Sequence, residues 1–217
     1  MDKKDLRSII FRHLDGIVTL PVLVTLNNAD ILQFISNNEK VTLNELANQF
    51  NANDGYLNVA LRVLASQGFL NYHVKPIISV EKTSKFDQML RYADSLKPVM
   101  EMIQFSQGFH NRLFEKEPFL KLKPLLESYQ DDTLLPPPLN NEDNEVRKQL
   151  NYYVEGCLVG PTIVRLGMNG MFHKYFMESS FKAEEYHKDP ESFEKLLDFL
   201  THLGWFQKKN NNYSFTD

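Results

Sequence analysis

The sequence predicts a mainly α-helical fold with small β-wings, built from two winged-helix-like units that are related by internal duplication and joined by a helical segment. The first observation behind this prediction is a repeated phrase, because "HLDGIVTLPVLVTL" at 13–26 has a near copy, "YVEGCLVGPTIVRL", at 153–166. The second is a recurring helix end, "ALRVLASQGFL" at 60–70 and "LLDFLTHLGWF" at 196–206. Both helix ends lead into short apolar runs, which are typical of the β-strands of a wing.

The two copies align at nearly constant offsets. The aligned pairs are Gly16 with Gly156, Pro21 with Pro161, Ile31 with Met171 and Leu32 with Phe172 at 140 positions, and Leu64 with Leu200 and Gly68 with Gly204 at 136 positions. The repeated phrase marks the first helix of each unit, and its apolar positions are expected to face a core. Pro21 stands within the helical pattern, so a kink or a helix start is expected near it.

The first unit follows the winged-helix order of helix, helix, turn, helix and wing. Thr42, with Glu45 three residues later, predicts a capping box for the second helix. The third helix, over 56–67, has leucine and alanine on one face and ends before Gly68, where a residue past a helix end is free to adopt positive φ. The runs "FLNYH" and "IISV", split by a turn at Lys75–Pro76, predict the wing.

The second unit repeats the end of this order. Its last helix is predicted over 192–204, its first wing strand in "WFQKK", its turn at 210–212 and its return strand at 213–217. The segment between the units predicts a helix over 86–114 with a break before Pro98, a shorter helix over 118–129 and a loop or linker rich in Pro, Asp and Asn over 131–144.

The predicted organisation therefore has four parts. They are a first winged-helix-like unit at 1–85, a helical connector at 86–130, a linker at 131–144 and a second winged-helix-like unit at 145–217. The second unit ends on its last wing strand, as a fragment of a longer protein is expected to do.

Composition disfavours several classes of protein. The formal net charge of −4 and the isoelectric point of about 5.9 disfavour a general binder of nucleic acids or anionic membranes. Cys157 is the one cysteine, so no intrachain disulfide is possible, and its apolar surroundings predict a buried, inert thiol. No apolar run approaches the ~20 residues that span a bilayer, so a soluble cytoplasmic protein is expected.

The sequence offers no recognisable catalytic site. The stretch "GMNG" at 167–170 does not follow a predicted strand and predicts a helix-breaking corner rather than a phosphate loop. The histidines lack metal-ligand spacing; they are His13, His73, His110, His173, His187 and His202. The acidic pairs at 131–132 and 184–185 are expected to be solvated. We therefore predict no catalytic, cofactor-binding or metal-ligating residue.

DNA binding is one alternative function, because winged helices often bind DNA. A recognition helix needs basic and amide side chains, but the candidate at 54–67 carries one basic residue, Arg62. The second candidate is more acidic, with Glu191, Glu194 and Asp198 against Lys195. Lys208 and Lys209 supply some positive charge in the wing. DNA binding stays as a minority alternative.

The stretch "LANQFNANDGYLNVALRVLASQGFL" at 46–70 resembles the winged-helix region that precedes the catalytic core of many class I S-adenosylmethionine-dependent methyltransferases. The residues that carry this resemblance are Leu46, Ala47, Leu57, Leu61, Arg62, Leu64, Gly68, Phe69 and Leu70. The run "YSFT" at 213–216 is similar to the strand that closes the wing in that family. The paired phrases are more specific: they resemble the N-terminal adaptor or lid regions of curacin-type polyketide synthase loading modules.

This resemblance implies a non-catalytic adaptor or lid that docks or covers a neighbouring domain during polyketide chain initiation, as part of a multidomain enzyme. The implied partners are an adjacent GNAT-like or methyltransferase domain and an acyl carrier protein, and a homodimer stays open. The run "VMEMIQF" at 99–105 is a candidate partner surface. The alternatives are the N-terminal lid of a methyltransferase whose core lies elsewhere, and a winged-helix DNA-binding regulator.

Overall fold

The structure, a computed structural model, describes residues 3–105, 116–168, 170, 180–185 and 189–216. It is 64% helix and carries small antiparallel sheets, which confirms the mainly helical fold class. Across these ranges, no helix combines the length and the apolar character needed to cross a membrane.

The first part of the chain has the predicted three helices and wing in order, with an additional short helix and an additional strand between the first two helices. The elements in chain order are α1 (Lys3–Asn28), the additional helix α2 (Ile31–Ser36), the additional strand β1 (Lys40–Thr42), α3 (Leu43–Gln49), α4 (Asp54–Ser66), β2 (Leu70–His73) and β3 (Ser79–Lys82). The three strands form one antiparallel sheet in the order β1-β3-β2. The capping box is confirmed, because the backbone N–H of Glu45 donates to Thr42 Oγ1 at 3.2 Å and the backbone N–H of Thr42 donates to Glu45 Oε2 at 2.7 Å. Gly68 has the expected positive φ, 81°.

Helices dominate the middle of the chain. They are α5 (Phe86–Ala93), a 3₁₀ turn (Asp94–Leu96), α6 (Lys97–Phe105), α7 (Lys116–Gln130) and α8 (Asn141–Met168). The break before Pro98 is confirmed by the 3₁₀ turn, while residues 106–114 of the predicted helix lie outside the described residues. The linker prediction was too long: the loop ends at residue 140, because Asn141–Asn144 already form the first turn of α8.

The end of the chain forms the second wing. Its elements are a 3₁₀ turn (Ala183–Glu185), α9 (Pro190–His202), β4 (Phe206–Lys209) and β5 (Asn212–Phe215). Asn210 and Asn211 carry the predicted turn with positive φ angles of 51° and 62°. Phe181 forms an isolated antiparallel bridge with Tyr213. Met171 and Phe172, aligned above with Ile31 and Leu32, lie outside the described residues.

The chain divides into two compact units. The first, called the first unit from here on, comprises residues 1–100 and 135–157. The other, called the second unit, comprises residues 101–134 and 158–217. Each unit thus takes two separate segments of the chain, and α8 contributes to both, which a division into consecutive ranges does not anticipate. The largest fully buried side chains of the first unit include Leu20, Leu23, Leu32, Ile35, Phe69, Phe86 and Tyr92, and those of the second include Phe181, Phe193, Phe199, Phe206 and Tyr213.

Within the first unit, α1 and α8 cross at the two glycines of the repeated phrase. A Cβ atom on Gly16 would lie 2.5 Å from the carbonyl oxygen of Tyr153, and one on Gly156 would lie 2.2 Å from that of His13. Each glycine therefore meets the residue three positions before the other glycine. Only glycine permits backbones to approach this closely. The thiol of Cys157 is buried at the same crossing, with Sγ 3.4 Å from the carbonyl oxygen of Gly16.

Of the two alternatives expected at Pro21, a kink or a helix start, the helix start was wrong. The helix α1 runs through Pro21 from Lys3 to Asn28. Proline removes one backbone hydrogen bond from a helix interior. Leu20, Leu23 and Val24 are 4% exposed or less, so burial of the flanking side chains offsets this loss.

A buried polar cluster fixes the proline-rich segment of the first unit. The Asp143 side chain is fully buried, forms an ion pair with Arg91, and accepts a hydrogen bond from the backbone N–H of Leu139 at 2.6 Å. Arg147 donates to the carbonyl oxygens of Pro136 and Leu135 at 2.9 and 3.1 Å. Burial acts to raise the pKa of Asp143, but the hydrogen bonds from Leu139, Tyr92 and Arg91 outweigh burial and lower it.

Candidate functional site

The helix α4 is held in place by its caps and by its apolar inner face. The side chain of Asn53 accepts a hydrogen bond from the backbone N–H of Tyr56 at 3.0 Å and so caps the N-terminus. Leu57, Leu61 and Leu64 are 4% exposed or less, and the helix packs against α1, α3 and β2. The opposite side of α4 is therefore presented on a rigid support.

That opposite side is unusually apolar for an exposed surface. We define the outer face of α4 as Tyr56, Val59, Arg62, Val63 and Ser66, which recur at helical spacing. Tyr56 is 81% exposed and Val59 is 58% exposed. Val59, Arg62, Val63 and Ser66 line a shallow recess of about 360 Å³. Arg62 is the one charged residue of this face.

A larger cavity of about 710 Å³ lies beside the outer face, between α1, α2 and α4. It is lined by Pro21, Val22, Thr25, Leu26, Ala29, Ile31, Phe50, Ala52, Asn53, Tyr56, Leu57 and Ala60. None of these side chains is charged at neutral pH. Tyr56 belongs to both the cavity and the outer face, so the two apolar surfaces are continuous. A concave, uncharged surface of this size suits apolar side chains of a partner or an apolar ligand.

The helix α1 extends this apolar surface. Phe11, Leu14, Ile17 and Val18 are 40–58% exposed. One turn further along the helix, Pro21 and Val22 line the cavity. Single exposed apolar residues are common on protein surfaces, but contiguous patches mark interaction sites.

The outer face of α4 lacks the chemistry that a DNA-reading helix needs. Asn58, an amide on this helix, accepts a hydrogen bond from the hydroxyl of Tyr72, so its oxygen is occupied. Arg62 alone offers a positive charge. Base edges are read by Arg, Lys, Asn and Gln, and phosphates require several cations.

One of the two lysines of the second wing, Lys208, is neutralised by carboxylates. Lys208 Nζ lies 2.8 Å from Glu194 Oε1 and 2.8 Å from Asp198 Oδ1. The hydroxyl of Tyr213 donates to Asp198 Oδ1 at 2.7 Å. Burial acts to lower the pKa of Lys208, but hydrogen bonds to Asp198 and Glu194 outweigh it and raise that pKa. Lys208 is therefore committed to two carboxylates of its own unit.

The remaining sequence candidates form no site in the described part of the chain. Cys157 is 4% exposed, as predicted, and burial raises the pKa of its thiol to about 12, so the thiol stays protonated. His73 contacts Glu81 and His202 packs edge-on against Tyr129, whereas His110, His173 and His187 lie outside the described residues. In the described ranges, no group of three or more His, Cys, Asp or Glu could hold a metal ion.

The candidate partner surface at 99–105 begins with buried side chains, unlike the exposed outer face of α4. Val99 is fully buried and Met100 is 7% exposed, so these two side chains serve a core. The side chains of 102–105 are not among those described. The surface that the sequence analysis missed is the outer face of α4. Its signal was present, because Tyr56, Val59 and Val63 recur at i, i+3 and i+7 on the side opposite the leucines.

Two stretches of the chain match family models. Residues 6–72 match the AprA N-terminal domain, and residues 155–217 match the AprA winged helix domain. The chain carries a winged helix domain. No curated protein matches it. Each match covers less than half of the chain, and the outer face of α4 lies within the first, while α9 and the second wing lie within the second.

Proposed function

We propose that this chain is a non-catalytic adaptor or lid region of a polyketide synthase loading module, which docks or covers a neighbouring catalytic or carrier domain. The observation that supports this role best is the continuous apolar surface formed by the outer face of α4, the adjoining cavity and the exposed residues of α1. Exposed apolar surface on a rigid support is typical of protein docking. The resemblance of the repeated phrases to adaptor regions of loading modules supplies the biological setting.

We also propose that the two winged-helix units arose by internal duplication. Support comes from equivalent contacts as well as equivalent residues. Thr83 Oγ1 donates to the carbonyl oxygen of Gly68 at 2.8 Å, and Thr216 Oγ1 donates to that of Gly204 at 2.6 Å. The helices α4 and α9 both have 13 residues, and each is followed by one of these positive-φ glycines.

The strand pairing supports the same relationship. Val41 of β1 pairs with Val80 of β3, and Phe181 pairs with Tyr213 of β5. Glu45 accepts a hydrogen bond from the backbone N–H of Thr42, and Glu185 accepts one from the backbone N–H of Lys182, at 140 positions further on. In this scheme α1 and α8, which cross within the first compact unit, are equivalent helices.

The docking role is tested by surface plasmon resonance of the full chain. The probes are the acyl carrier protein, the GNAT-like domain and the methyltransferase core of a curacin-type loading module. We expect saturable binding to at least one probe, and we expect Tyr56→Glu to weaken it at least tenfold. Ile77→Glu is the matched control, because Ile77 is 59% exposed on the wing and should leave binding unchanged.

Three results would contradict the proposal. Absence of binding to all three probes would refute a docking role in such a module. Saturable binding of S-adenosylmethionine by the chain alone would favour the lid of a methyltransferase instead. Salt-sensitive binding to duplex DNA at physiological ionic strength would favour a DNA-binding regulator.

A further inference from the structure

We propose that the outer face of α4 binds an acidic amphipathic helix supplied by a partner. This inference deepens the docking role proposed above, because it names the chemistry of the occupant. The observation behind it is that, in the second unit, a helix already packs on the C-terminal part of the equivalent face.

The covering helix of the second unit is α7. Phe199 and His202 of α9 stand 136 positions after Val63 and Ser66 of α4. The ring of Tyr129, near the end of α7, packs edge-on against both of them, with centroid distances of 5.6 Å to Phe199 and 6.3 Å to His202. Phe199 is only 1% exposed, whereas His202 and Lys195, the equivalent of Val59, are exposed. The second unit therefore covers the C-terminal part of this side of its third helix, around Phe199, with an amphipathic helix that presents an aromatic ring.

The first unit leaves the same side of α4 open. In the described part of the chain, α4 makes its main contacts with α1, α3 and β2. Val59 remains 58% exposed, and the recess of about 360 Å³ lies at Val59, Arg62, Val63 and Ser66. Residues at this spacing are the anchors by which a helix docks against another helix. A helix from outside the unit fits this position.

The charge of the occupant follows from Arg62. The position equivalent to Arg62 on α9 is Asp198, which is bound by Lys208 and Tyr213. The sign of the charge at this one position is thus opposite in the two units. The Arg62 side chain is exposed and has no ion pair or hydrogen bond to another described residue. A partner helix with a carboxylate beside Arg62 gains an ion pair that gives orientation and selectivity.

The experiment uses two fluorescein-labelled peptides and the full chain. One peptide has the sequence of α7, residues 116–130, and the other carries Lys121→Glu and Lys123→Glu in that sequence. Binding is followed by fluorescence anisotropy. We expect the acidic peptide to bind saturably and at least tenfold more tightly than the unmodified one. Raising the salt from 50 to 200 mM should reduce the difference in affinity between the two peptides.

Three variants of the chain locate the binding site. Val59→Glu removes an apolar anchor and adds a negative charge, so it should weaken binding of the acidic peptide at least tenfold. Arg62→Glu should reverse the preference, so that the unmodified peptide binds more tightly. Val74→Glu is the matched control, because Val74 is 64% exposed but lies on the wing, and it should change nothing. Circular dichroism of each variant checks that the helices are intact.

Several outcomes would overturn the inference. They are no saturable binding of either peptide, equal binding by the wild type and Val59→Glu, or equal losses in Val59→Glu and Val74→Glu. Concentration-dependent self-association that Val59→Glu abolishes would assign the face to a second copy and overturn it too. Peptide binding without any response to loading-module domains would uphold the inference and refute the proposed biological setting.

Discussion

At the scale of single residues, the two glycines of the repeated phrase have the clearest physical role. Glycine in a helix interior is normally destabilising, by roughly 1 kcal/mol relative to alanine. Gly16 and Gly156 fit in α1 and α8 because they lack a side chain. A Cβ atom at either position would lie 2.5 Å or less from a backbone carbonyl oxygen of the opposite helix. The repetition that suggested two similar helices in fact marks the place where those helices touch.

Substituting Gly156→Ala should destabilise the chain. The added methyl group would meet the carbonyl oxygen of His13 at 2.2 Å, and a backbone atom within a packed helix cannot move aside cheaply. The cost of overpacking exceeds the helix propensity gained, so we expect a net loss of about 2 kcal/mol in the free energy of unfolding. Urea denaturation measures this loss.

Gly55→Ala is the control for that experiment. Gly55 also lies in a helix, but the nearest atom to its Cβ position is the capping oxygen of Asn53 at 3.2 Å, which needs to move by only a few tenths of an ångström and so keeps its hydrogen bond from Tyr56. We expect this variant to be neutral or slightly more stable. Equal stability of Gly156→Ala and the wild type would mean that α1 and α8 do not cross at this residue.

At the scale of elements, local signals correctly indicate several boundaries that a cap or a turn defines. The capping box at Thr42 starts α3, Asn53 caps α4, and Gly68 and Gly204 follow the ends of α4 and α9. Each of these features depends on residues within a few positions of one another. Such boundaries can therefore be predicted from the sequence without any knowledge of the fold.

Thr42→Ala should remove the capping box and cost about 1 kcal/mol of stability. The variant loses the oxygen that accepts the backbone N–H of Glu45, leaving one donor at the start of α3 without its cap. Thr42→Ser keeps that oxygen and should lose far less. Thermal unfolding of the three proteins, followed by circular dichroism, gives the comparison. A Thr42→Ser variant as unstable as Thr42→Ala would show that the methyl group, and not the cap, matters.

At the scale of the whole molecule, contacts between distant parts of the sequence set the architecture. Arg91 and Asp143 are 52 positions apart, yet their buried ion pair holds the proline-rich segment inside the first unit. The segment reads as a solvated linker because Pro, Asp and Asn are common in loops. Its last acidic residue is instead fully buried, and the helix α8 starts around it.

Asp143→Asn should destabilise the chain by about 2–4 kcal/mol at pH 7, because it leaves Arg91 without its buried carboxylate. Folding lowers the pKa of Asp143, so its contribution is present above the unfolded pKa of about 3.9 and is lost as the pH falls through the folded pKa. The difference in unfolding free energy between the wild type and the variant should therefore narrow from pH 7 towards about pH 3. Urea denaturation over this range measures it.

Asp131→Asn serves as the reference for the pH series. Asp131 is exposed at the end of α7, so its substitution should leave the unfolding free energy unchanged at every pH. A constant difference between the wild type and Asp143→Asn across the range would contradict the ion-pair explanation.

The sequence by itself determined the helical class, the two wings, the caps of α3, and the glycines that end α4 and α9. These features rest on periodicity and on local hydrogen bonding, which a short stretch of chain contains in full. Only the tertiary structure decided that α1 runs through Pro21, that Asp143 is buried, that α8 belongs to both units, and that Tyr56 and Val59 stay exposed. Exposure and burial depend on which elements pack together, so an apolar residue at helical spacing cannot reveal alone whether its side of the helix is covered.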